Sequence, residues 1–224
     1  MKDLRGGVFM TGAYVLHPDT GEELRSATLP ADACKAALEI AKAQEGSCGA
    51  VLVVGTQSFS ANMGDWQDWV KSQGDALSDV GWNKLDELAL SAKVNAMVIF
   101  GSEERLQIVL EALGNGGLQQ LGAHFVRPRP HLIDVVPLDQ DPLDAGQISA
   151  EGDSSKLGGK AAGLRALCTA LDIPRSSVLA LGDSDNDVEM LAWAGVSCAM
   201  GNSTEAAKGA ADHVVAAFND EQCP

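Results

Sequence analysis

Positive charge is scarce in this sequence. Its 224 residues hold 16 Lys and Arg against 31 Asp and Glu, a formal net charge of −15. Affinity for nucleic acid rests on neutralising phosphates with Lys and Arg, so no nucleic-acid partner is expected. Long apolar runs are missing too. None approaches the roughly 18–20 residues that span a bilayer, and residues 1–7 lack the apolar stretch of a secretory signal. No membrane partner is expected either. Cysteines at metal or redox spacing are absent: Cys34, Cys48, Cys168, Cys198 and Cys223 are odd in number, widely spaced and include no C-x-x-C. A disulfide framework or zinc knuckle is thereby disfavoured, and a reducing compartment, cytoplasm or plastid stroma, is expected. The four histidines form no H-x-x-x-H pair. His17 and His131 each adjoin a proline and belong to loops or strand ends. What is present is globular: 46% of residues are apolar and 21% charged, a soluble composition with room for one large domain or two small ones.

The order of elements is legible from patterning. Residues 7–16 (GVFMTGAYVL) form an apolar, β-rich run. A turn cluster at 17–22 and a returning strand at 23–28 make a hairpin. Pro30 opens a helix that carries Cys34, Ala37, Leu38 and Ala41 on one face and ends near Gly46. Residues 50–54 (AVLVV) and 95–100 (NAMVIF) read as strands buried on both faces. Between them, Phe59, Trp66, Trp69 and Trp82 lie among polar residues. Two alternatives stand for 56–82: a helix that packs its aromatics into a core, or a lid lining a substrate pocket. Ser102-Glu103-Glu104 caps a helix with Leu106, Val109, Leu110 and Leu113 on one face. Strands near 122–126 and 132–136 follow. Residues 137–155 turn acidic and lose apolar periodicity, the look of an exposed loop. Then come a helix at 160–171, a short buried strand at 178–181, a helix at 187–194, a strand at 196–199, a helix at 203–209 and a last strand at 213–215. Strands alternating with helices at this spacing imply a parallel sheet.

The stretch Gly182-Asp183-Ser184-Asp185-Asn186-Asp187 carries the chemistry. It falls where an apolar strand ends and a helix begins, the end at which parallel α/β sheets bind ligands. Three carboxylates within five residues repel one another unless a cation or basic group is close. Hard oxygen ligands suit Mg²⁺, commonly held by one or two carboxylates with a substrate phosphate. An EF-hand is excluded, because its sixth position would be Val188 and its twelfth Ala194. A phosphate-binding loop is excluded at Gly159-Lys160, where Ala161 follows and Ser154 stands in place of the first glycine. An ordinary acidic turn capping the next helix remains open.

The run Leu179-Ala180-Leu181-Gly182-Asp183-Ser184-Asp185-Asn186-Asp187-Val188-Glu189-Met190-Leu191 resembles the G-D-x-x-N-D motif of the haloacid dehalogenase (HAD)-like phosphatases, Cof-type branch. The likeness continues through Ala194-Gly195-Val196, Ala199-Met200-Gly201-Asn202-Ser203, Lys208 and Ala211-Asp212, and runs toward plant and cyanobacterial members. It implies an α/β protein with a HAD-like Rossmannoid core, only its C-terminal part present, plus a large α/β cap. Residues 7–137 would be the cap, 138–157 an acidic linker and 158–224 the C-terminal part of the core. The family mechanism implies Mg²⁺ and an aspartyl-phosphate intermediate. Asp183 would be the metal ligand. Lys160 would hold nucleophile and phosphate, Asn186 would touch phosphate or substrate, and Asp187 would orient the site. Lys156 competes with Lys160, which is preferred because its distance to Leu171-Asp172-Ile173 fits the family's helix without a gap. A small phosphorylated metabolite is the implied substrate.

Two family motifs have no counterpart here. The D-x-D-G-[TV] strand that supplies the nucleophile does not occur, nor does the Ser/Thr motif ahead of the cap. One expectation is an N-terminally incomplete chain of a phosphatase, inactive by itself. The alternative is a non-catalytic, HAD-derived binding or interaction module. The strand at 178–181 would lack the neighbour it has in the family and could self-associate through its open edge.

Overall fold

Residues 7–16 do not run as one strand. In the computed structural model, which describes residues 6–44, 46–72, 76–138 and 159–216, β1 (Gly7–Phe9) ends at a tight turn, Met10–Gly12. β2 (Tyr14–Leu16) then folds back antiparallel, pairing Leu16 with Gly7 and Tyr14 with Phe9. Met10, Thr11 and Gly12 have φ of 51°, 52° and 91°. The left-handed region favours Gly and Asn, so Met-Thr gave no turn signal in the sequence. The expected turn at 17–22 forms, with His17 Nδ1 accepting from the N–H groups of Asp19 and Thr20 at 3.2 and 3.3 Å. β3 (Glu23–Ser26) completes a sheet in the order β1-β2-β3.

The described residues divide into two compact units, 26–138 and 6–25 with 159–216. In the first, α1 (Ala31–Lys42) buries Cys34, Ala37, Leu38 and Ala41, the face its periodicity announced. Next come β4 (Cys48–Val54), β5 (Gln57–Ala61), α2 (Trp66–Ser72), β6 (Leu77–Asp79), α3 (Trp82–Ser91), β7 (Ala96–Gly101), α4 (Glu103–Asn115), β8 (Ala123–Arg129) and β9 (Leu132–Pro137). The six strands form one sheet in the order β6-β5-β4-β7-β9-β8. Only the β5–β6 pair is parallel. On one face Leu52, Met97, Ile99, Ile133 and Val135 meet Leu38, Leu85, Leu106 and Val109 from α1, α3 and α4 in a single core. Residues 56–82 hold two strands and the start of α3 that patterning missed. Their short Ser-rich runs have neither strict alternation nor helical period. In α2 the ring of Trp66 stacks on His131 at 4.9 Å, and Trp69 meets His131 edge-on at 5.3 Å; both tryptophans lie near Phe100. Asn95, just outside β7, is buried. Its Oδ1 accepts from Gly55 N–H at 2.8 Å and its Nδ2 donates to the Ala27 carbonyl at 2.9 Å, which meets the need of a buried amide.

In the second unit α5 (Gly159–Ala170), β10 (Leu179–Gly182), α6 (Val188–Trp193), β11 (Val196–Ala199), α7 (Glu205–Ala210) and β12 (His213–Val214) follow the expected order. The sheet β10-β11-β12 is parallel. Ala180, Leu191, Ala194 and Ala207 make its core, and Cys168 of α5 packs with Trp193. The expectation of a fully buried strand fails at β10: Leu179 and Leu181 are 60% and 56% exposed, and Val196 beside Leu179 is 43% exposed. Among the described residues the helices cover one face of this sheet, so alternate side chains face out.

The N-terminal sheet packs on α5, where Gly163 approaches Val8 and Gly12 too closely to admit a Cβ. Sequence patterning placed 7–25 with the segment that follows it. The contacts group 6–25 with 159–216 instead, because the glycines at 12, 159 and 163 let a turn and a helix meet backbone to backbone. Of the acidic linker expected at 138–157, all but Leu138 lies outside the described residues, as does Lys156. No helix among the described residues is long and apolar enough to cross a membrane.

Candidate active site

β10 delivers its chain to the site through Gly182. A Cβ there would lie 2.6 Å from Asp187 Cβ and 2.9 Å from its Cγ, so only glycine lets Asp187 fold back against the strand end. The return is held by hydrogen bonds that the local sequence supplies. Asp187 Oδ2 accepts from the N–H groups of Asp183 at 3.0 Å and Ser184 at 3.2 Å, while Asp187 N–H donates to the Ser184 carbonyl at 2.9 Å. This is the reciprocal logic of a capping box, a carboxylate three residues in reaching back to orphan donors. The box closes the short 3-10 turn Asp185–Asp187 that leads into α6, whose own N-cap, Asp187, makes no side-chain cap bond. Gly182→Ala is expected to displace the Asp187 carboxylate and cost about 1–3 kcal/mol through overpacking. Urea denaturation checks it, and a variant as stable as the parent would refute the role given to this glycine.

Lys160 reaches the same carboxylate from the first turn of α5. Its Nζ donates to Asp187 Oδ1 at 2.5 Å and to Asn186 Oδ1 at 3.3 Å. Asn186 Oδ1 also accepts from Ser184 Oγ at 2.7 Å. Asp187 is buried, whereas the Lys160 side chain is one-third exposed. Burial pushes the Asp187 carboxyl up. The Lys160 ammonium and the N–H groups of Asp183 and Ser184 outweigh burial and hold it below the ordinary value. Lys160, Asn186 and Asp187 are therefore brought together. Asp183 stands at the strand end, half-buried, and joins this group through its main chain.

Sequence patterning assigned no part to the loop after β11. Met200 N–H donates to the Gly182 carbonyl at 3.0 Å, Ser203 Oγ to the same oxygen at 3.2 Å, and Thr204 N–H to the Asp183 carbonyl at 3.0 Å. This loop braces the turn at the Gly182 and Asp183 carbonyls. Its only signal in the sequence was the Met200-Gly201-Asn202-Ser203 stretch.

No group of three or more His, Cys, Asp or Glu converges among the described residues. A cation here would take few protein ligands. Asp187 is occupied by Lys160 and two N–H groups, and the same turn also carries Asp183 and Asp185. Mg²⁺ tolerates such a sparse set, since it commonly keeps waters and takes one or two carboxylates with phosphate.

A family model of the haloacid dehalogenase-like hydrolases matches residues 154–222, the stretch that holds all four site residues. Residues 154–222 are those of a haloacid dehalogenase-like hydrolase. Over 62 residues it is 44% identical to the 5-amino-6-(5-phospho-D-ribitylamino)uracil phosphatase YitU of Bacillus subtilis (strain 168), a match covering 28% of this chain and 23% of that protein. The chain thus spans about a quarter of this relative's length. Among solved structures, a HAD subclass IIB sugar phosphatase (BT4131) superposes with a TM-score of 0.68 at 20% identity, covering 94% of this chain and 70% of that one. A HAD/COF-like hydrolase of Plasmodium vivax gives a TM-score of 0.69 at 20% identity, covering 94% and 66%. These structural likenesses carry the fold alone: a Rossmannoid core with an α/β cap.

Proposed function

We propose that this haloacid dehalogenase-like chain supplies the lysine and cation side of a phosphatase site acting on small phosphorylated metabolites. The observation that supports it is the convergence of Lys160, Asn186 and Asp187 at the carboxyl end of β10, beside Asp183. An ammonium held at fixed distance from a buried carboxylate is suited to neutralise charge on a phosphoryl oxygen. Asp187 keeps that ammonium aimed. Asn186, hydrogen-bonded to Lys160 and Ser184, offers its amide to phosphate or substrate. Asp183 would hold Mg²⁺, which when bound supplies electrostatic stabilisation of a transferring phosphoryl group. The reaction would pass through an aspartyl-phosphate on a carboxylate that no D-x-D-G-[TV] in this sequence provides. The activity for which YitU is named, on a phosphorylated ribitylamino-uracil, favours a small phosphorylated substrate. The unit at 26–138 would serve as the cap, and the segment 56–82 would choose the substrate.

Assayed alone, the chain is expected to hydrolyse p-nitrophenyl phosphate no faster than background, because lysine and cation cannot replace a covalent nucleophile. A Mg²⁺-dependent turnover abolished by Asp183→Ala would overturn this and reveal another nucleophile. In a protein completed with the nucleophile strand, Asp183→Asn is expected to lower kcat/KM by roughly 10²–10³, the scale for loss of one charge-stabilising group. Near-normal activity at limiting Mg²⁺ would remove Asp183 from the site. The missing D-x-D-G-[TV] favours a second proposal, a non-catalytic binding module. Transcript sequence ahead of Met1 separates the two: an in-frame D-x-D-G-T there supports the phosphatase.

A further inference from the structure

Two residues other than glycine, Met10 and Thr11, lie side by side in the left-handed region at φ of 51° and 52°, and Gly12 follows at 91°. Thr11 is β-branched, and such residues adopt this backbone only when their surroundings over-determine it. Two contacts do so. From one side, Arg25 Nε donates to the Gly12 carbonyl at 3.1 Å. From the other, the first turn of α5 presses on the turn: a Cβ on Gly12 would sit 1.7 Å from the Gly159 carbonyl oxygen and 3.0 Å from Lys160 N. Gly159, itself at φ +61°, lies against the Thr11 carbonyl and Cγ2, and a Cβ on Gly163 would fall 2.5 Å from Val8 Cγ1 and 2.7 Å from Gly12 Cα. The strained turn therefore abuts the residue where α5 begins, and Lys160 is the next residue.

We infer that the Met10–Gly12 turn is a positioning element that fixes where α5 starts and so how far Lys160 reaches toward Asp187 and Asn186. A helix advances about 1.5 Å per residue, so a shift of a single position exceeds what a 2.5 Å contact tolerates. Thr11 and Gly12 act through Lys160, as positioning residues. The functional meaning rests on the role proposed for Lys160, whereas the geometry is testable without turnover.

The test uses the whole chain labelled with ¹³C-lysine, with the Lys160 ε-methylene signal assigned by Lys160→Arg. In the parent this signal is expected apart from those of mobile lysines. Thr11→Gly, which adopts the turn without strain, is expected to leave it there, as is Gly209→Ala, whose Cβ would meet open space. Gly163→Ala and Thr11→Pro are expected to move it onto the mobile-lysine position while the amide signals of β10 and β11 persist. An unmoved Lys160 signal in either folded variant overturns the inference, as does a parent signal already among the mobile lysines. If both variants lose the β10 and β11 amides, Arg25→Met, which releases the Gly12 carbonyl, decides: a shifted Lys160 signal supports the inference and an unmoved one overturns it. A completed enzyme without phosphatase activity would count against the function proposed for the site, and not against this positional role.

Discussion

Lys160→Met is expected to destabilise the unit of 6–25 and 159–216 by about 3 kcal/mol at neutral pH, out of a typical total of about 5–15. The loss arises at Asp187, 3% exposed, whose carboxylate would remain buried with, among the described residues, the Asp183 and Ser184 N–H groups and the Ser184 hydroxyl as its donors. Removing one partner of a buried pair costs about 3–5 kcal/mol. The low end applies because Lys160 is partly solvated and the N–H donors stay. The pH dependence has a definite sign. Burial pushes the Asp187 carboxyl up, but Lys160 and the N–H groups hold it below its ordinary value. A carboxyl so depressed contributes stability that is present above its unfolded value, about 3.9, and is lost as pH falls through the folded value. In Lys160→Met the upward push of burial loses its main opponent, so acid destabilisation begins at higher pH than in the parent. Urea denaturation at intervals from about pH 3 to 7 measures both effects. Two curves that run parallel throughout, separated by less than about 1 kcal/mol, would show that the pair contributes little.

Hydrogen exchange should separate the two units even more sharply. Amides of β10 that face away from β11 are expected to exchange about 100-fold faster than those of β7, in chain kept monomeric by dilution. β7 lies between β4 and β9 and is bonded on both sides. β10 pairs only with β11 among the described residues, and it presents Leu179 and Leu181 to solvent beside its open edge. Each backbone group left unmet when buried costs about 1–3 kcal/mol, and an apolar open edge is a template for another strand. At high concentration a second copy of the chain is expected to cover it, raising β10 protection together with the sedimenting mass. Leu181→Lys is expected to abolish that association, since a charge on an edge strand resists pairing. Equal protection of β10 and β7 in a protein shown to be monomeric would refute the open edge.

Much of the site was legible because its chemistry is local. Gly182, Asp183, Ser184, Asn186 and Asp187 lie within six residues at a strand-to-helix junction, and apolar runs mark the strand and helix on either side. Lys160 was legible by resemblance alone. A lysine in a first turn carries no signal of what lies 2.5 Å away. The helices α1, α4 and α5 were legible because each carries a clear apolar stripe. β5, β6 and α3 were not, because their short, Ser-rich or mixed runs acquire meaning only against β4 and α1.

By itself the sequence determined the order of elements from α5 to β12, the acidic turn at the end of β10 and the absence of a D-x-D-G-[TV] motif, since each is a pattern of neighbouring residues. The tertiary structure decided the rest. It set the N-terminal turn against α5, because glycines far apart in sequence permit backbone contact that no periodicity records. It exposed Leu179 and Leu181, because burial depends on which faces of a sheet are covered and not on how apolar a strand is. It also joined Lys160 to Asp187 across 27 residues, because an ion pair depends on where two elements end in space and not on their separation along the chain.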